Sequence, residues 1–133
     1  MIDKTAADWP ASIAATGFAL AAYPVAVERG IMPRAAAVQR TLTTLRFFWN
    51  SPRGPEPDAT GYRAFLLAGA LTAGVYFDED TDDEHEIRSL ADSLYRRADW
   101  QWALDRGATV THGWKPENGF LNSVTVDGLR VVR

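Results

Sequence analysis

No cysteine occurs in the 133 residues. That excludes a disulfide framework, a thiol nucleophile and a thiolate zinc site, so stability has to come from packing. Histidine is nearly as scarce. His85 and His112 lie far apart in sequence, with no cysteine to complete a ligand set, and they indicate no transition-metal site. Basic residues do not outnumber acidic ones, 14 Lys and Arg against 17 Asp and Glu, and the net charge of -3 offers no general attraction to a phosphate backbone. Nucleic acid is therefore not an expected partner. No apolar run reaches the roughly 20 residues that a spanning helix needs. The longest, Ala64 to Phe77, contains Gly69 and Gly74 and reads as a buried helix, so no membrane span is expected. The start, MIDKTAADWPAS, lacks a basic stretch leading into an apolar run and a small-residue cleavage site, so no secretory signal is expected there. Neither a Ser/His/Asp signature nor a phosphate-cradling glycine loop is present, and no cofactor is indicated.

What is present is mostly helical pattern, in a length that fits one domain burying about two thirds of its unfolded surface. Pro10, preceded by Asp8 and Trp9, opens a helix whose apolar residues Ile13, Phe18, Leu20 and Ala21 cover much of its circumference. It runs to Arg29 and ends at Gly30, with Gly17 marking close packing and Pro24 a bend. Pro33 starts a second, amphipathic helix with Ala35, Val38, Leu42, Leu45 and Trp49 at spacings of three and four, closed by Pro52. The third helix, about Arg63 to Phe77, is apolar nearly all round and is expected to be the central element, with neighbours on several sides.

The acidic run DEDTDDEHE, Asp78 to Glu86, alternates acids as a calcium loop does, but Asp83 stands where such a loop needs Gly, and Ser89 where it needs Glu. It reads as a solvated loop that places Asp82, Asp83 and Glu84 in the first turn of a fourth helix and leaves His85 exposed. That helix carries Ile87, Leu90, Ala91, Leu94, Tyr95 and Ala98 on one stripe, with Trp100 and Trp102 packing its end. From Gly107 the pattern changes. Thr109, Val110, Thr111 and later Val124 to Val132 favour strand, and Asp127 with Gly128 between VTV and LRVV marks a tight hairpin. The expected architecture is mainly α, one domain over 1–133, with a helical part over 1–106 and a loop and β-ribbon tail over 107–133; no internal repeat is found.

Two segments stand apart. The first runs from Phe47 through Trp49, Pro52, Gly54, Pro55, Glu56, Pro57, Asp58 and Gly61 to Tyr62; the second is HGWKPENGFL, His112 to Leu121. Both follow the end of a helical pattern and combine aromatic and acidic residues with Pro and Gly, which suits ligand contact on a rigid scaffold. Sugar rings present apolar C–H faces that stack on indole or phenol, while their hydroxyls bond acids, amides and imidazole. Trp49, Tyr62, Trp114 and Phe120 are the candidate platforms, with His112 and Asn118 as polar partners. Trp49 also fits as the last residue of its helix stripe, and Asp58 as a turn cap. Glycosidic cleavage needs a carboxylic acid and a second carboxylate. Glu117 is the catalytic candidate, because Trp114 could desolvate it and raise its pKa while Lys115 works the other way; Glu56 and Lys115 complete the candidate binding set.

Five blocks in this order, SIAATGFALAAYPVAVERG, TLTTLRFFWNSPRGPEPDATGY, LLAGALTAGVYFD, EIRSLADSLYRRADWQWAL and HGWKPENGFL, resemble the glycoamylase-like family, which includes bacterial glucan hydrolases and a module of cyclic glucan synthases. The resemblance implies an (α/α) toroid of paired helices with a sugar-binding cleft at one end, and hydrolysis of a glucan, β-1,2-linked glucan among the candidates. It also implies that relatives are often exported to the periplasm, which leaves the compartment of this chain unassigned. The chain looks shortened against the family pattern. Tyr62 is followed at once by Arg63, Ala64 and Phe65, where the family carries a further stretch, and GFL is followed by NSVTVDGLRVVR, where the family continues with more helices. The expected structure is therefore a partial toroid of about four helices with a short C-terminal β-hairpin. The alternative is an inactive remnant that binds glycan or associates with itself through helix faces the full toroid would cover.

Overall fold

The computed structural model describes residues 13–51 and 64–104, together with the main chain of the strand segments within 113–132. The expected helix opening at Pro10, the segment 52–62, Thr109 to Thr111 and the turn at Asp127 and Gly128 lie outside the described residues. The fold is mainly helical. Among the described residues four helices carry it, α1 (Ile13–Glu28), α2 (Arg34–Asn50), α3 (Ala64–Tyr76) and α4 (Asp82–Arg96), followed by a single turn, α5 (Trp100–Ala103). Beyond them, β1 (Gly113–Lys115) pairs antiparallel with β2 (Gly119–Leu121), and β3 (Ser123–Val126) with β4 (Leu129–Val132).

Local chemistry sets the helix ends. Gly30 takes φ 67, a left-handed conformation that favours glycine; its N–H bonds the Val27 carbonyl at 2.9 Å and that of Ile31 bonds the Ala26 carbonyl at 2.8 Å. This glycine-terminated pattern satisfies carbonyls that the end of α1 would leave unpaired. At the start of α4 the Thr81 hydroxyl accepts from the Glu84 N–H, and Asp82, Asp83 and Glu84 occupy the first turn, where the positive end of the helix favours them.

The helices form two layers. α1 and α3 run parallel: Gly17 meets the backbone of Phe65 and Leu66 near their N-terminal ends, and the Tyr76 hydroxyl donates to Glu28 Oε1 at 2.6 Å near their C-terminal ends. α2 and α4 form the second layer, also parallel, with Arg34 bonded to Glu84 at one end and Arg97 donating to the Trp49 carbonyl at the other. Each pair, α1 with α2 and α3 with α4, thus contributes one helix to each layer, a repetition in space that has no counterpart in the residues. Leu20, Leu42, Leu45, Leu66, Leu67, Phe77, Ile87 and Leu94 fill the space between the layers, with Ala37, Ala70, Ala73 and Ala91 allowing close approach. The Thr41 hydroxyl is buried in this core with no hydrogen-bond partner among the described residues, a cost that the surrounding apolar packing offsets.

α3 is the central element, packed against both α1 and α4 through Leu66, Leu67, Ala70 and Ala73, while Phe65, Leu71 and Val75 on its remaining side are exposed. On α1, Phe18 is exposed as well, stacked against Phe65 with ring centroids 5.3 Å apart. A helix with no polar residues to contrast with its apolar ones carries no signal of which face is inside. On α2, Ala37 is buried in place of Ala35, two residues further along and on the other side of the helix. Finally, the acidic run is not wholly solvated, because Glu84 is only 2% exposed and accepts from Arg34. His85 is exposed, bonded to Asp80 and Arg88.

Candidate functional site

The two-layer arrangement puts the end of α2, the start of α3 and the end of α4 at one end of the array. Arg34, at the start of α2, donates to the Tyr76 carbonyl at the end of α3, so α2 and α3 are antiparallel and the C-terminal end of α2 lies on the side where α3 begins. α4 runs parallel to α2 and ends there too. The segment 52–63 is therefore anchored at Ser51 and Ala64, and the chain leading to His112 departs from α5, at the same end of the molecule.

Of the expected site residues, Trp49 has the fullest description. It is 40% exposed, its carbonyl accepts from Arg97 Nη1 at 2.6 Å, and the Arg97 guanidinium lies 4.7 Å from the indole centroid. A guanidinium over an aromatic ring is held by the ring's electron-rich face, and the pair fixes the orientation of the indole. Trp49 is thus neither a fully buried end of its stripe nor a free surface residue. Arg97 joins the site as a residue that sequence reading missed; its signal was its place at the end of the α4 stripe, level with the end of α2. Trp114 stands directly opposite Phe120 in the β1/β2 register, and Lys115 opposite Gly119, which puts the two aromatic positions on one face of the ribbon; their side chains lie outside the described residues. Glu56, Tyr62, His112, Glu117 and Asn118 also lie outside the described residues. Trp100 packs partly buried, its Nε1 donating to the Tyr95 carbonyl at 3.3 Å, and the side chain of Trp102 is outside the described residues.

The opposite end is held by charge. Arg34 Nε and Nη2 each reach a Glu84 oxygen at 2.8 Å, a two-point pairing, and the Glu79 N–H donates to Glu84 Oε2 at 2.8 Å. The hydrogen bond from Arg34 holds the Glu84 carboxyl below the usual range, against the opposing effect of burial. The guanidinium also lies 5.0 Å from the Tyr76 ring centroid and 5.4 Å from that of Phe77. An open depression of about 800 Å³, lined by Pro24, Glu28, Arg34, Leu71, Val75 and Tyr76 among others, lies at this end, away from Trp49 and Arg97. Among the described residues, no three acidic or histidine groups come together as a metal site, and no helix is long and apolar enough to cross a membrane.

The chain is 28% identical over 110 residues to the exo β-1,2-glucooligosaccharide sophorohydrolase of Parabacteroides distasonis, a match that takes up 66% of this chain and 15% of that protein. Its fold matches a glucoamylase-like protein of Bacteroides uniformis with a TM-score of 0.66 and 26% identity, over 82% of this chain and 32% of the other. It matches the β-1,2-glucanase of Parabacteroides distasonis with a TM-score of 0.66 and 25% identity, over 81% of this chain and 19% of the other. No protein-family model matches the chain. The paired-helix array is that of helical glycoside hydrolases. Within that class the chain is a relative of the glycoamylase-like glucan hydrolases, and it spans between 15% and 32% of the length of these relatives.

Proposed function

We propose that this chain is a glucan-acting domain of the glycoside hydrolase class, with a β-linked glucan, β-1,2-linked in the first instance, as its ligand. The observation that carries this is agreement in linkage: the sophorohydrolase relative and one of the fold relatives are both named for β-1,2-linked substrates. The glucan lies across the end of the array where Trp49 and Arg97 sit and from which both aromatic segments depart. Trp49, Tyr62, Trp114 and Phe120 supply stacking surfaces; His112, Asn118, Lys115 and Glu56 bond hydroxyls; Glu117 is the acid. The helices are two consecutive pairs of an (α/α) toroid, and residues 124–132 form the short hairpin turning at Asp127 and Gly128. Nucleic acid has no place in this function.

Glu117→Gln removes the proton that protonates the leaving oxygen but keeps the side chain's size. Release of reducing ends from β-1,2-glucan is expected to fall by about 100-fold or more, with glucan affinity nearly unchanged. Full activity in the variant would remove Glu117 from the catalytic role.

A second reading is favoured by the extent of the matches. An alignment of 110 residues that takes up 66% of this chain leaves part of the relative's segment without a counterpart here. If that part holds the second carboxylate, the chain binds glucan without cleaving it, and Glu117→Gln then changes nothing that the wild type does.

A further inference from the structure

The face of the α1/α3 layer that points away from α2 and α4 is apolar and uncovered by any described residue. Phe18 (62% exposed) and Val25 (54%) line it on α1; Phe65 (53%), Leu71 (39%) and Val75 (80%) line it on α3. We propose that this face binds a second copy of this chain.

Charge favours that occupant. α1 has no charged residue before Glu28 and α3 has none at all. A partner with an ordinary mixed-charge surface would lose the hydration of its charges here with nothing to pair them, whereas a second copy brings an equally uncharged surface. The relief of the face also suits a two-fold contact. Large residues alternate with exposed small ones, Phe18 and Val25 flanking Ala22 on α1, and Phe65 and Leu71 flanking Ala68 on α3. Such ridges and steps on two parallel helices fit the same surface turned about a two-fold axis. The exposed fractions of the five large side chains amount to roughly 500 Å² per copy, hence roughly 1,000 Å² in a pair, the size at which specific association begins. Glu28 and Tyr76, hydrogen-bonded to each other at one end of the face, supply a polar rim.

Sedimentation equilibrium of the purified chain over a wide concentration range tests this, with Val75→Lys and Val25→Lys as interface variants and Arg40→Ser, on an exposed position of α2, as control. Both valines are exposed, so the lysines stand in solvent in the monomer, and helical circular dichroism verifies each fold; either variant suffices if the other fails. A reversible dimer weakened at least about tenfold by the lysine variants and untouched by the control is expected. A monomer at every concentration, or a dimer indifferent to both valine positions, overturns the proposal.

Discussion

Gly69→Ala is expected to lower the melting temperature by about 10 °C or more, corresponding to a loss of about 3 kcal/mol, despite the better helix propensity of alanine. A Cβ on Gly69 would come within 2.9 Å of the Gly17 Cα and closer still to its carbonyl; one on Gly17 would lie 2.7 Å from the Leu66 nitrogen. The obstacles are backbone atoms, which cannot rotate away, so α1 and α3 have to separate and the packing of Leu20 and Leu66 loosens. Gly74→Ala is the internal comparison. There the nearest atom is the Ala91 Cβ at 3.1 Å, and a change of less than about 1 kcal/mol in either direction is expected. Equal effects at Gly69 and Gly74 in thermal unfolding would show that the α1/α3 contact is not close.

Glu84→Ala is the second large effect, about 2–4 kcal/mol, because it leaves the Arg34 guanidinium, 26% exposed, without its two-point partner. Asp78 at 3.6 Å and Glu79 at 3.1 Å are exposed and replace little of it. The pairing also has a pH signature. Because the folded-state carboxyl is held below its usual value, the unfolded chain takes up a proton first as pH falls. The contribution is fully present above the ordinary glutamate value of about 4.3 and is lost as pH falls through the lower, folded-state value. Glu84→Gln should flatten that part of the acid limb in a series of melting curves. Asp80, lowered by its hydrogen bond to His85, and Glu86, lowered by that to Arg46, act in the same sense from exposed positions and contribute less. An unchanged acid limb in Glu84→Gln would assign the acid sensitivity elsewhere.

The helices were legible wherever polar and apolar residues alternate clearly. The stripe of α4, the break at Gly30 and the acidic first turn starting at Asp82 all follow from local rules, and all three are found, except that Tyr95 of the stripe is exposed. Gly17 was read as a close approach, although its partner Gly69 could not be named, because a contact between helices far apart in sequence leaves no periodic trace. The orientation of α1 and α3 was not legible for a related reason: with Phe, Leu, Val and Ala on every side, Phe18 and Val75 look as buried as Leu20 and Leu66. Glu84 was hidden by its acidic neighbours, since only the position of Arg34 distinguishes it from Asp82 or Asp83. For the site, residue chemistry singled out the two aromatic segments, and the parallel course of α2 and α4 explains why the chain leaves α2 and α5 at one end. Arg97 over Trp49 emerges only once those helices lie side by side.

The central claim, that this chain acts on a β-linked glucan, is tested most directly by incubating the folded wild-type chain with linear β-1,2-glucan and, separately, with α-linked glucans, measuring reducing-end release and binding in the same samples. Release from β-1,2-glucan and none from the α-linked panel is the expected result. A folded chain that neither cleaves nor binds β-1,2-glucan would contradict it.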